Sequence, residues 1–153
     1  MQALELKIPP PAVGLVTACT MWGIASVAPV LELPALPRIV VAAAIALAGF
    51  GFAVAGRIAF RLAKTTTNPM RPAKTTSLVR SGVYRITRNP MYIGLVFVLV
   101  AWAVFLDCVW VLPGPLAFMF YISRFQILPE ERALAAKFGG EYADYQESVR
   151  RWL

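Results

Sequence analysis

The chain contains no histidine. That excludes a histidine general base, a Ser-His-Asp triad, and imidazole ligation of haem or zinc. Cysteine is nearly as scarce. Cys19 and Cys108 both lie inside apolar runs, which makes no disulfide framework, and two thiols without histidine make no zinc site. Catalysis must then rest on carboxylates, arginines, tyrosines, backbone groups or a reactive cofactor. Charge is also sparse. Only 15% of the 153 residues are charged, against about 25% in soluble domains. Hydrophobic residues make up 59%, more than a soluble domain of this length can hide. The composition predicts an integral membrane protein.

A transmembrane helix needs about 20 largely apolar residues. Four stretches qualify, at about 12–31, 39–60, 91–106 and 109–128. The expected fold is therefore all-α, one domain over 1–153 with four transmembrane helices, a loop at 64–88 and amphipathic helices over 129–153. The first run is longer than a signal-peptide core and lacks a charged flank and cleavage site, so it reads as a span. Pro113-Gly114-Pro115 either kinks the fourth span or moves its turn there. Asp107 reads as a plain residue of the outer turn.

The net charge of +7 is mostly topology. Arg57, Arg61, Lys64, Arg71, Lys74, Arg80, Arg85 and Arg88 lie between the second and third runs with no acid among them. The positive-inside rule places that connection, and with four spans both termini, in the cytoplasm. Anionic lipid, not nucleic acid, is the expected partner of this charge. Thr65-Thr66-Thr67, Asn68-Pro69 and Arg71-Pro72 predict a defined turn-rich loop over that face.

Two helix starts meet at the same predicted depth. Asn89-Pro90 combines a capping residue with proline at the first helical position. Leu128-Pro129-Glu130-Glu131 does the same with acids in the first turn, where they complement the helix dipole. The plain reading makes Asn89 a cap, leaves Arg85 and Arg88 to lipid phosphate, and puts Tyr92 in an interfacial aromatic belt. The functional reading sets two arginines and an amide against two carboxylates, a pocket for a ligand carrying both signs. Beyond Arg132, the spacing of Phe138, Tyr142, Tyr145, Val149 and Trp152 predicts an amphipathic helix, interfacial or a lid. Arg124, near the end of the fourth span, would orient an anionic acceptor or pair with Glu130 or Glu131.

Gly82-Val83-Tyr84-Arg85, then Arg88-Asn89-Pro90-Met91-Tyr92, a membrane hairpin, Glu130-Glu131, and Phe138-Gly139 with Tyr142 and Tyr145, form an ordered set. The set resembles the isoprenylcysteine carboxyl methyltransferase and phospholipid methyltransferase superfamily, membrane enzymes that use S-adenosylmethionine. The resemblance covers about Lys64 to Leu153. Position 89 departs from the Arg-His-Pro-x-Tyr of the isoprenylcysteine enzymes. Asn-Pro-Met-Tyr is the form in phosphatidylethanolamine N-methyltransferases. Gly49-Phe50-Gly51 is either their Gly-x-Gly element or a helix-packing pair.

The resemblance implies S-adenosylmethionine as cofactor, held by Arg88, Asn89, Pro90, Tyr92, Glu130, Glu131 and Phe138. Arg88 and the helix start would take its carboxylate, a glutamate its ammonium or ribose, and Tyr92 and Phe138 would border the purine. Arg124 and Glu131 are the candidates for the transfer step. The implied acceptor is a lipophilic or prenylated molecule from the membrane, with an aminophospholipid as the alternative and no metal involved. A carboxylate or thiolate acceptor needs no base. Of the rivals in other classes, a proton-coupled carrier needs a mid-membrane acid, which none of the four runs supplies. A non-catalytic membrane subunit would keep the fold and lose cofactor affinity.

Overall fold

In a computed structural model, residues 5–63 and 77–153 are described. The turn-rich stretch around Asn68-Pro69 lies outside them. Among the described residues all regular structure is helical. Helix α1 spans Pro10–Ala25, α2 Ala35–Leu62, α3 Pro90–Leu106, α4 Pro113–Ile122, α5 Leu128–Phe138 and α6 Gly140–Ser148. Prolines set the boundaries: Pro10, Pro90 and Pro113 each occupy a first-turn position where the missing N–H costs nothing.

Helix α1 stops six residues before the predicted boundary at 31. The Ser26 hydroxyl donates to the Gly23 carbonyl at 2.7 Å, and Pro29 disfavours helical backbone at Ala28. At 16 and 17 residues, α1 and α3 are short apolar helices. Two stretches are long and apolar enough to cross a bilayer: Ala35–Leu62, and the continuous run Val109–Phe138.

That second run corrects the expectation of a break at Leu128-Pro129. A 3-10 turn, Val109–Val111, leads into α4, and a π-helical turn, Ser123–Ile127, joins α4 to α5 without interruption. Pro129 has no N–H for the carbonyl four residues back, at Phe125. Widening the helix by one residue absorbs the defect. The freed Phe125 carbonyl accepts the Leu6 N–H at 3.1 Å.

Helix α3 is the hub, packing against α1, α2 and α4. Its contact with α2 depends on missing side chains. A Cβ on Gly94 would lie 2.7 Å from the Gly49 carbonyl oxygen, and one on Gly49 would lie 2.8 Å from that of Gly94. The backbones touch there, as small residues allow. Gly51 has open space beside it, so of Gly49-Phe50-Gly51 only the first glycine packs. The core joins Met21, Leu99, Phe118, Ile122 and Ile127, and Trp102 donates its indole N–H to the Ala18 carbonyl at 3.1 Å. Outward faces are just as apolar. Leu47 is 71% and Phe120 77% exposed, which suits a lipid surround and not water.

At the far end from the site, Asp107 is more than a turn residue. It is buried, takes a left-handed backbone (φ 56°), and pairs with Arg38 at 2.6 Å. Its side chain also accepts the Leu33 N–H at 3.1 Å and its carbonyl the Leu31 N–H at 2.8 Å. One aspartate thus staples the α1–α2 connection to the α3–α4 turn.

Candidate functional site at the starts of α3 and α5

The two helix starts do meet. The Tyr92 hydroxyl donates to Glu130 Oε1 at 2.6 Å, and Gln126 Nε2 donates to the same oxygen at 2.8 Å. One turn away, Arg88 Nη2 stands 3.4 Å from Glu131 Oε1. Gln126 lies on the π-turn, one turn before Glu130.

Asn89 begins α3 in backbone terms only. Its carbonyl accepts from Tyr92 and Ile93, but its side chain makes no cap. The Nδ2 group donates instead to the Arg151 carbonyl at 2.9 Å, and the Thr87 hydroxyl donates to the same carbonyl at 3.2 Å. The Arg88 N–H donates to the Arg150 carbonyl at 3.0 Å. The expectation of helix over 129–153 fails at its end: α6 stops at Ser148, Val149 is extended, and 150–152 are not helical. Docking segment 149–152 satisfies the donors at the α3 start, and Trp152 packs onto the core.

This docking brings in a residue that sequence reasoning missed. Arg151 grips Glu131 with two bonds, Nε to Oε1 at 3.0 Å and Nη2 to Oε2 at 2.7 Å. The Glu131 hydrogen bond, ahead of any other influence, holds Arg151 above its ordinary pKa. One carboxylate thus serves two guanidinium groups, and the pair Arg88–Arg151 retains net positive charge. Helical spacing through 138–152 would put Arg150 and Arg151 on a polar face; the extended backbone at Val149 sends them to different partners. Gln126 left a fainter signal, a lone amide in an apolar run two residues from Arg124.

Helix α6 covers the site. Tyr142 and Tyr145 are buried, and the Tyr145 hydroxyl donates to the Tyr84 carbonyl at 2.7 Å. Desolvation, first, pushes Tyr142 up to about 12, so it is a neutral hydroxyl beside Arg88 at ordinary pH. Arg88 itself is only 11% exposed, and its Nε and Nη1 have no hydrogen-bond partner. Buried guanidinium N–H groups are rarely left so. They lie on different edges of the guanidinium, and each can donate to an anionic oxygen such as that of a carboxylate or phosphate.

The other expected residues scatter. Pro90 is buried at the start of α3. Phe138 closes α5 at the end away from Glu130 and Glu131. Arg124 pairs with neither glutamate. Its Nη1 meets Glu5 Oε1 at 3.0 Å, and Arg132 bonds the other oxygen of Glu5. No group of three or more histidine, cysteine, aspartate or glutamate side chains that could hold a metal occurs among the described residues.

The family model for phospholipid methyltransferase matches residues 37–141, which includes α3, the π-turn and both glutamates but excludes Glu5 and Arg151. A protein of Haemophilus influenzae described as uncharacterized is 43% identical over 63 residues, 41% of this chain and all of that relative. No solved structure matches. With more than half its length inside the match, the chain belongs to the phospholipid methyltransferase family.

Proposed function

We propose that the chain transfers a methyl group from S-adenosylmethionine to a lipophilic acceptor at the cytoplasmic face of a membrane that it crosses four times. Helices α1 and α3, about 24 and 26 Å long at 1.5 Å per residue, reach across with their flanking apolar residues. The observation that carries the reading is the buried Arg88 guanidinium, whose Nε and Nη1 have no partner, beside Glu131 and under Tyr142.

The cofactor supplies an electrophilic methyl sulfonium. The chain's residues do the rest. Arg88 offers Nε and Nη1, on separate edges, to the anionic oxygens of the cofactor, and the Glu131–Arg151 pair fixes the plane of its guanidinium. Glu131 thus acts by positioning Arg88, its oxygens being occupied by two arginines. Glu130, held by Tyr92 and Gln126, offers the negative charge for an ammonium or ribose hydroxyl. Asn89 and Pro90 shape the helix start, and Tyr92 borders the purine. Helix α6 excludes water, which favours positioning over acid–base chemistry.

Two acceptors fit. A prenylated carboxylate, as in the isoprenylcysteine enzymes, needs no base. An aminophospholipid must lose a proton, and Glu130 is the carboxylate nearest the site that is not in an ion pair. The family's phospholipid character favours the second.

Titration of the detergent-purified chain with S-adenosylhomocysteine tests the cofactor site. Arg88→Gln should weaken binding about 10- to 100-fold, the worth of a buried hydrogen bond to charge. Equal affinity in the variant would remove Arg88 from the site, and no affinity in the wild type would remove the enzyme. Labelled methyl transfer into a lipid extract then identifies the acceptor.

A further inference from the structure

We infer that Arg124 and Arg132 form a binding site for the phosphate of a phospholipid headgroup, and that Glu5 occupies this site until a lipid displaces it. The two guanidinium groups close on the two oxygens of one carboxylate, Arg124 Nη1 on Oε1 at 3.0 Å and Arg132 Nη2 on Oε2. Two arginines gripping two oxygens is also how a phosphate is held. The arginines are positioned by the helix, not by Glu5. Arg124 sits on the π-turn with its guanidinium 5.4 Å from the Phe125 ring centroid, and Arg132 projects from α5 with 60% of its side chain exposed.

The surface below points to a lipid. Leu116, Phe120 and Arg124 recur at steps of four, which puts them on one helix face. Leu116 is 67% and Phe120 77% exposed. An acyl chain lying along that strip brings its phosphate to Arg124.

The segment that fills the site is poised to leave. Among the described residues, its polar anchors are the Glu5 carboxylate and one backbone bond, Leu6 N–H to the Phe125 carbonyl. Leu6 keeps that bond in a left-handed backbone, φ 57°, which a leucine side chain disfavours. Glu5 thus acts as an internal competitor. If it fills the site nine-tenths of the time, the apparent affinity for a headgroup falls about tenfold.

The acceptor side of the proposed methyl transfer gives this site its purpose, but the test needs no turnover. The full chain in detergent is titrated with phosphatidylglycerol, with diacylglycerol of the same acyl chains, and with inorganic phosphate, and bound lipid is counted by native mass spectrometry without any methyl donor. Glu5→Gln should bind phosphatidylglycerol about tenfold tighter than wild type. Arg124→Gln/Arg132→Gln should lose the site, and the double lysine variant should recover part of it. Arg132→Gln alone, at an exposed position, should loosen phosphatidylglycerol about threefold, the size of an exposed charge pair. Diacylglycerol should not distinguish the variants. Unchanged or weaker phospholipid binding by folded Glu5→Gln overturns the inference. So does an equal gain for diacylglycerol, and inorganic phosphate occupying the site as well as the lipid shows an anion site without lipid preference. Cofactor titration of the same samples separates failure here from failure of the methyltransferase reading.

Discussion

Glu131→Gln keeps the shape of the side chain and removes the charge that holds Arg88 and Arg151 together. Glu131 is 10% exposed and receives Arg151 at 3.0 and 2.7 Å and Arg88 at 3.4 Å. Removing one partner of a fully buried pair costs about 3–5 kcal/mol, because the remaining charge is stranded. Arg151 is 37% exposed, and water screens it, so the expected cost falls to about 2–3 kcal/mol. For a chain of this size that is a drop in Tm of about 4–12 °C. Thermal unfolding in detergent, followed by helical circular dichroism, measures it. The cycle with Arg151→Gln isolates the pair, with an expected coupling of at least about 1 kcal/mol. If the two variants add to within about 0.5 kcal/mol, Arg151 does not hold Glu131, and the ordered Arg88 guanidinium loses its support.

Gly94→Val should destabilise the fold by about 1–3 kcal/mol through overpacking, since its Cβ meets the Gly49 carbonyl at 2.7 Å; Tm and the monodisperse fraction report it. Asp107→Asn strands Arg38 and should expose the Leu31 and Leu33 amides to faster hydrogen exchange with little change at the cofactor site; unchanged exchange would deny the staple. Glu5 is held below the ordinary 4.5, chiefly by its Arg124 hydrogen bond. Its folded pKa is thus the lower one, so its anchoring is complete above about pH 4.5 and is lost as pH falls through the depressed value. The carbon-13 shift of the Glu5 carboxyl should titrate below 4.5 and move upward in Arg124→Gln.

Local chemistry made much of this legible. Asn-Pro and Leu-Pro-Glu-Glu marked two starts, and one turn of helix brings Tyr92 to Glu130 and Arg88 to Glu131. The apolar runs gave the helices and the shared depth of their ends. What stayed hidden was non-local. Arg151 reaches Glu131 only because the chain leaves helical backbone at Val149, and Glu5 reaches Arg124 across 119 positions of sequence. The prolines misled in one respect. Pro129 looked like a stop, whereas a one-residue π insertion carries the helix through it.

The docking of segment 149–152 has a consequence for the order of events during synthesis. Asn89 and the carbonyl of Arg151 that it binds are separated by 62 residues. A ribosome adding about 5–20 residues per second needs about 3–12 seconds to cross that gap. Throughout this interval Thr87 and Asn89 lack their acceptor and the Arg88 guanidinium has no brace. A nascent chain that has completed its apolar helices therefore still lacks the contacts that order the start of α3, and the proposed donor pocket is finished as a late step.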